Sequence, residues 1–396
     1  MNAIREALVT ALLLNGVCGR AELKWTPVTG MGHEIFPSFV LATATMEKEP
    51  PFASRYAGQE NAMHNILIFG DWRHMAGVRI LTSDSETKVR VEISGTKFIR
   101  PSKMDVTVKG PGRPYWVYPR LEFDYEALRA VREPIPETVT FKVYNLSDLK
   151  DGRPVAQSTT ETVEIGSLFD CPISRAVGSG PTARHDNWQW MFAAYVNENS
   201  PIIEPILQEA QQSRVIDAFA GYQRGEKDVL RQVFAIWNVL QRRGMKYSNI
   251  TTPSGESDRV FSQTIRPVDE SIHYQQANCV DGSVLFASIF RKIGLHSVLV
   301  TVPHHCFVGV DLDGPPHPPK WIYIETTMLG SVDMRAPIRG APRALDLSTL
   351  EALRQPASYR SFVAAVNRAH ENANLYRETM QIWDVDLLRK QGLRPE

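Results

Sequence analysis

The stretch that most restricts the fold runs from Tyr274 to Thr326. It opens with Asn278-Cys279-Val280-Asp281 and enters an apolar run. There Leu285, Phe286, Ile289, Phe290 and Ile293 recur at three- and four-residue steps. That spacing gathers them on one face and predicts a buried helix. Asp281 suits its first turn, Arg291 and Lys292 its last, and Gly294 its C-cap. Three runs of strand character follow, at 297–302, 305–310 and 321–326. Pro303 separates the first two, and a loop holding Asp313-Gly314 and four prolines separates the last two. A helix followed by three strands is the frame to which the rest of the chain must fit.

The frame carries chemistry at three points. Cys279 stands at or just before the helix start, where free amides and the positive end of the dipole favour thiolate over thiol. His305 begins the second strand and Glu325 ends the third. Covalent catalysis needs this set: a thiol beside an imidazole, and an imidazole oriented by a third group.

At these residues the chain resembles the transglutaminase-like branch of the papain-like cysteine enzymes. The matching motifs are Asn278-Cys279-Val280-Asp281 leading into Leu285-Phe286-Ala287-Ser288, then His305-Cys306-Phe307-Val308, then Ile324-Glu325-Thr326-Thr327. The resemblance covers roughly residues 225 to 330. It implies Cys279 as nucleophile, His305 as general base and acid, and Glu325 as the third member. It also implies an α+β fold in which the cysteine-bearing helix packs on an antiparallel sheet. The chain departs from the family in three places. Glu325 stands where aspartate is more frequent, Asn278 stands where glycine is frequent, and His304 precedes His305.

The oxyanion of such a reaction would take the backbone N–H of Cys279 and a second donor, for which Gln276 is the candidate and Gln275 the runner-up. Hydrolysis of a peptide or related amide is preferred over cross-linking, since nothing marks an amine-acceptor site. The alternative of another class is an exported binding or scaffold protein that keeps the fold without turnover. Trp188, Trp190 and Trp321 are candidates to contact a protein or peptide substrate, with core packing the competing fate of the first two. No cofactor is expected, and no metal: CxxC and HExxH spacings do not occur, and adjacent His304 and His305 point to opposite faces of a strand. A GxSxG elbow is likewise missing.

Lys and Arg number 44 and Asp and Glu number 44, so the formal net charge is zero and nucleic-acid or membrane-surface binding has no electrostatic footprint. A length of 396 residues predicts two domains. Arg5, the apolar run Ala7 to Leu14 and small residues at Gly16, Gly19 and Ala21 have the layout of a secretory signal over 1–21; a buried N-terminal helix is the alternative. No other segment has the length and apolarity of a transmembrane helix. Residues 22–168 predict a β-rich, immunoglobulin-like sandwich from recurrent short strands such as Val89–Ile93, Met104–Val108 and Val139–Tyr144. The resemblance implies a transglutaminase-like domain over residues 169–396, with helices expected at Ile202–Ala220, Val229–Leu240 and Ser361–Tyr376 and an edge strand at Thr379–Val385. Signal cleavage would leave Cys171, Cys279 and Cys306; a bridge between the first and last, or three free thiols, are both open.

Overall fold

The computed structural model describes residues 23–47, 67–177, 184–249, 254–256, 259–331 and 347–395. The expected signal at 1–21 lies outside them, as do parts of the segments 176–184, 247–269 and 326–342 that the sequence marks as loops. The described chain is mixed α and β with several sheets.

The N-terminal portion holds a five-stranded sheet built on one long hairpin. Ile135–Lys150 and Arg153–Ile165 pair antiparallel, joined through Asp151 and Gly152, both at positive φ. A two-residue turn of that conformation matches the right-handed twist of the strands it joins. Glu86–Gly95 adds to the hairpin, Ser102–Lys109 adds to that strand, and Glu34–Ile35 closes the other edge in parallel. Thr87, Val89, Val91 and Ile93 are buried at alternate positions, as are Val139, Phe141 and Val143, which is the two-residue period of a sheet with one covered face. A second sheet orders Lys24–Thr29, Ala76–Leu81, Pro114–Tyr118 and Leu67–Gly70.

The short helix Pro37–Thr43 leaves these sheets for the later part of the chain. Its Ser38 hydroxyl donates to the carbonyl of Asp170 (2.5 Å), and its Phe39 ring lies 4.8 Å from that of Trp188. One buried cluster therefore runs across position 168.

The sheet that matters for chemistry orders Trp321–Ile324, His305–Asp311, Ser297–Val302 and Gln381–Asp384, every neighbouring pair antiparallel. Its two faces carry different helices because strand side chains alternate. Leu299, Cys306, Val308 and Val310 join the cluster containing Leu285, Phe286 and Ile289 of the cysteine helix, Cys279–Lys292. Val298, Val300, Val302 and Phe307 form a second cluster with Ala369 and Ala373 of the helix Pro356–Leu375. The helix Glu226–Arg242 ties both sides together: the Trp237 ring lies 5.6 Å from Phe286 and 5.8 Å from Phe362, and its indole N–H donates to Ser361 (2.8 Å).

The expected helix Ile202–Ala220 is shorter, Ile203–Gln212. Arg214 sits at φ +59°, a left-handed conformation that ends a helix, and the chain then turns until Gly225.

Candidate active site

The cysteine helix is capped by Asn278. Asn278 Oδ1 accepts from the amides of Val280 (2.8 Å) and Asp281 (2.9 Å), and Asp281 returns the bond by accepting from the Asn278 amide (3.2 Å). This reciprocal cap fixes the first helical residue as Cys279. It uses the amides of Val280 and Asp281, not that of the nucleophile candidate itself. Glycine has no side chain with which to do this. Asp281 also accepts from the Arg266 amide (2.9 Å), and burial pushes its carboxyl up.

A two-residue turn decides between the adjacent histidines. Val302 pairs with His305, leaving Pro303 and His304 at the hairpin tip. His304 is exposed with φ +60°, whereas His305 is the first strand residue. His305 Nε2 and Glu325 Oε2 are 2.5 Å apart, and the Cys279 thiol lies near enough to the ring to act on its pKa. With Nε2 occupied by the carboxylate, Nδ1 is the nitrogen left for sulfur. Burial opposes a charge on this ring, but the hydrogen bonds and negative charge of Cys279 and Glu325 outweigh it and push its pKa up to about 10.

Glu325 follows the last residue of its strand and caps the single turn Thr326–Met328. Oε1 accepts from the amide (3.2 Å) and hydroxyl (2.7 Å) of Thr327. Oε2 faces His305 and accepts from Asn372 Nδ2 (3.3 Å). The carboxyl is buried, only 2% exposed, which alone would raise its pKa; the bonds from His305 and Thr327 and the charge of the ring hold it below the usual range instead. The longer side chain therefore serves two partners, the turn with one oxygen and the ring with the other. A Cβ on Gly282 would lie 2.6 Å from Thr326 Oγ1, so a glycine is what lets this turn approach the cysteine helix.

Sequence reasoning missed three neighbours. Asn372 lies on a helix 47 residues beyond Glu325 and carries no local signal. Tyr247 is 45% exposed; partial burial first, and then the charges of Cys279 and Glu325, push its phenol up. A cavity of about 240 Å³ opens beside His305 and Glu325, lined also by Val302, Pro303, Thr327, Arg368, Asn372 and Tyr376.

Other expected contacts fall elsewhere. Trp188 and Trp190 are fully buried against Phe39, with Trp72 against Trp188, and so cannot line an open groove. Trp321 starts the strand whose far end precedes Glu325, about 13 Å away at strand rise, and its ring packs on His296 (5.2 Å). Gln276 pairs with Lys246 in a short parallel ladder, its carbonyl accepting from Arg266 (2.8 Å), while Gln275 is exposed at φ +54°. None of Cys171, Cys279 and Cys306 is in a disulfide, so no bridge joins the first to the last. Burial pushes the Cys306 thiol well up.

One group of metal-ligating type occurs among the described residues: His296, Asp384 and Asp386, with ligand atoms within 4.8 Å of one another. Those atoms are already engaged. His296 Nε2 meets Asp384 Oδ2 (3.0 Å), Asp384 Oδ1 accepts from the Leu387 amide (3.0 Å), and Asp386 is bound by Arg291. No protein-family model matches the chain, and no curated protein matches it.

Proposed function

We propose that the chain is a transglutaminase-like cysteine enzyme that cleaves amide bonds in peptides or proteins through a thioester acyl-enzyme. The observation that carries this reading is a single arrangement: a cysteine at a helix start, an imidazole near enough to it for each to act on the other's charge, and a buried carboxylate 2.5 Å from one ring nitrogen. Export is part of the proposal, on the charged and apolar pattern of residues 1–21. So is a sandwich for the first portion, supported by Val89 and Val91 of one sheet sharing a buried cluster with Val78, Ile80 and Val117 of the other.

The Cys279 sulfur attacks the substrate carbonyl carbon, forming a C–S bond and an oxyanion. The Cys279 amide and a neutral donor, the Tyr247 hydroxyl or the Gln276 side chain, stabilise that charge. His305 gives the Nδ1 proton to the leaving nitrogen, the C–N bond breaks, and the amine departs. Acylation ties up the sulfur that helped hold the ring proton. The neutral ring then accepts a proton from water, whose oxygen attacks the thioester and expels the thiolate. Glu325 keeps the ring oriented throughout and stabilises its charged form.

An ester with a chromogenic leaving group tests this. p-Nitrophenyl acetate should release a burst of one nitrophenolate per chain, with intact mass showing one acetyl group on Cys279. Cys279→Ala should abolish both. Added primary amine should leave the hydrolytic product dominant. A wild-type chain with neither burst nor adduct would reduce the arrangement to a silent scaffold.

A further inference from the structure

Three residues of the Pro356–Leu375 helix and its cap recur at four-residue steps: Arg368, Asn372 and Tyr376. Four-residue steps stack side chains on one helix face. All three line the cavity beside His305 and Glu325. Asn372 is bound to Glu325 and belongs to the relay. Arg368 is not needed for it.

The charges around this cavity do not cancel on the cavity side. Glu325 and a protonated His305 carry opposite charges in contact, and the Cys279 sulfur is not among the groups lining the cavity. Arg368 then contributes a positive charge on the wall. It pairs with Glu371, at 3.7 Å, one helical turn on, with both side chains more than half exposed. An exposed pair at that distance holds an arginine weakly. A carboxylate entering the cavity would meet a guanidinium able to bind it through two parallel N–H donors, with the Tyr376 side chain on the same wall.

We propose that this cavity is a subsite for a carboxylate on the substrate, held by Arg368, on the histidine side of the nucleophile. The inference rests on the reading of Cys279 and His305 as a catalytic pair. Because His305 protonates the departing nitrogen, the fragment lying past the ring is the leaving one. The enzyme therefore prefers amides whose leaving amine carries an acidic group, such as an acidic side chain or a chain-terminal carboxylate.

Haloacetyl probes measure this without knowledge of the natural substrate. A series of N-iodoacetyl ω-amino acids with two to six carbons, each compared with its neutral carboxamide, alkylates Cys279 by forming a C–S bond and releasing iodide. At one chain length the acid should react faster than its amide, by about tenfold. Arg368→Gln should bring that ratio close to one, Arg368→Lys should keep part of it, and Glu371→Gln should raise it. A ratio near one at every length, or a preference untouched by Arg368→Gln, overturns the subsite while leaving the catalytic reading intact. Probes that label Cys279 no faster than a free thiol would instead remove the catalytic reading, and the subsite with it.

Discussion

The same sheet carries a histidine–carboxylate pair at each end. At one end His305 meets Glu325 at 2.5 Å; at the other His296 meets Asp384 at 3.0 Å. Both rings have raised pKa values. Their neighbours separate them. His305 has a thiol on its free side and a cavity alongside. His296 has Trp321 against its ring, and its aspartate caps a helix, so the pair straps the last strand and helix to the sheet. A histidine–acid pair is therefore not by itself a sign of catalysis; the third group beside it decides.

That contrast is tested first by the largest effect. His305→Ala should lower acylation of Cys279 by about a thousandfold, the usual range for removing a general acid–base group, measured as the burst rate with the nitrophenyl ester. His296→Ala should leave that rate within twofold of wild type, about the scatter of a mutation that touches nothing in the site, and should lower stability by about 1 kcal/mol in urea titration. A comparable loss of rate in both variants would erase the distinction.

Glu325→Gln should cost about a hundredfold, because the ring loses the charge that stabilises its protonated form while the Thr327 contacts can persist. Asn372→Ala, which removes one of several bonds to the same carboxylate, should cost about fivefold in the same assay. Tyr247→Phe should cost about tenfold if the phenol serves the oxyanion; no change in rate would transfer that role to Gln276.

Stability against pH sharpens the comparison further. The folded pKa of His305 is raised to about 10, so its contribution is fully present below the ordinary 6.5 and is lost as pH rises through about 10. The wild-type chain should lose stability across that window, and His305→Ala should flatten the slope. His296 acts in the same direction, since its pKa is also raised, first by the Asp384 hydrogen bond.

What the sequence made legible follows from the range of each interaction. The strands at 297–302 and 305–310 and the helix opened at Cys279 declare themselves by local periodicity, and their bounds differ from the observed ones by a residue or so at each end. The three candidate side chains could be picked out because each stands at an element boundary, where spacing along the chain is itself a signal. Trp188 and Trp190 were not: their burial depends on Phe39, nearly 150 residues earlier, which no window of sequence contains. Asn372 and Arg368 were hidden for the same reason, since a helix on the far face of the sheet delivers them to the site. Asn278 was visible as an oddity and became intelligible only as a cap.

The most direct test of the relay needs no substrate. Iodoacetamide alkylation of Cys279 at neutral pH, followed by peptide mass spectrometry, should run at least about tenfold faster than for a free thiol. It should fall to the free-thiol rate in His305→Ala and stay at the wild-type rate in His296→Ala. Equal rates in all three proteins, none faster than a free thiol, would contradict the claim that imidazole and sulfur act together.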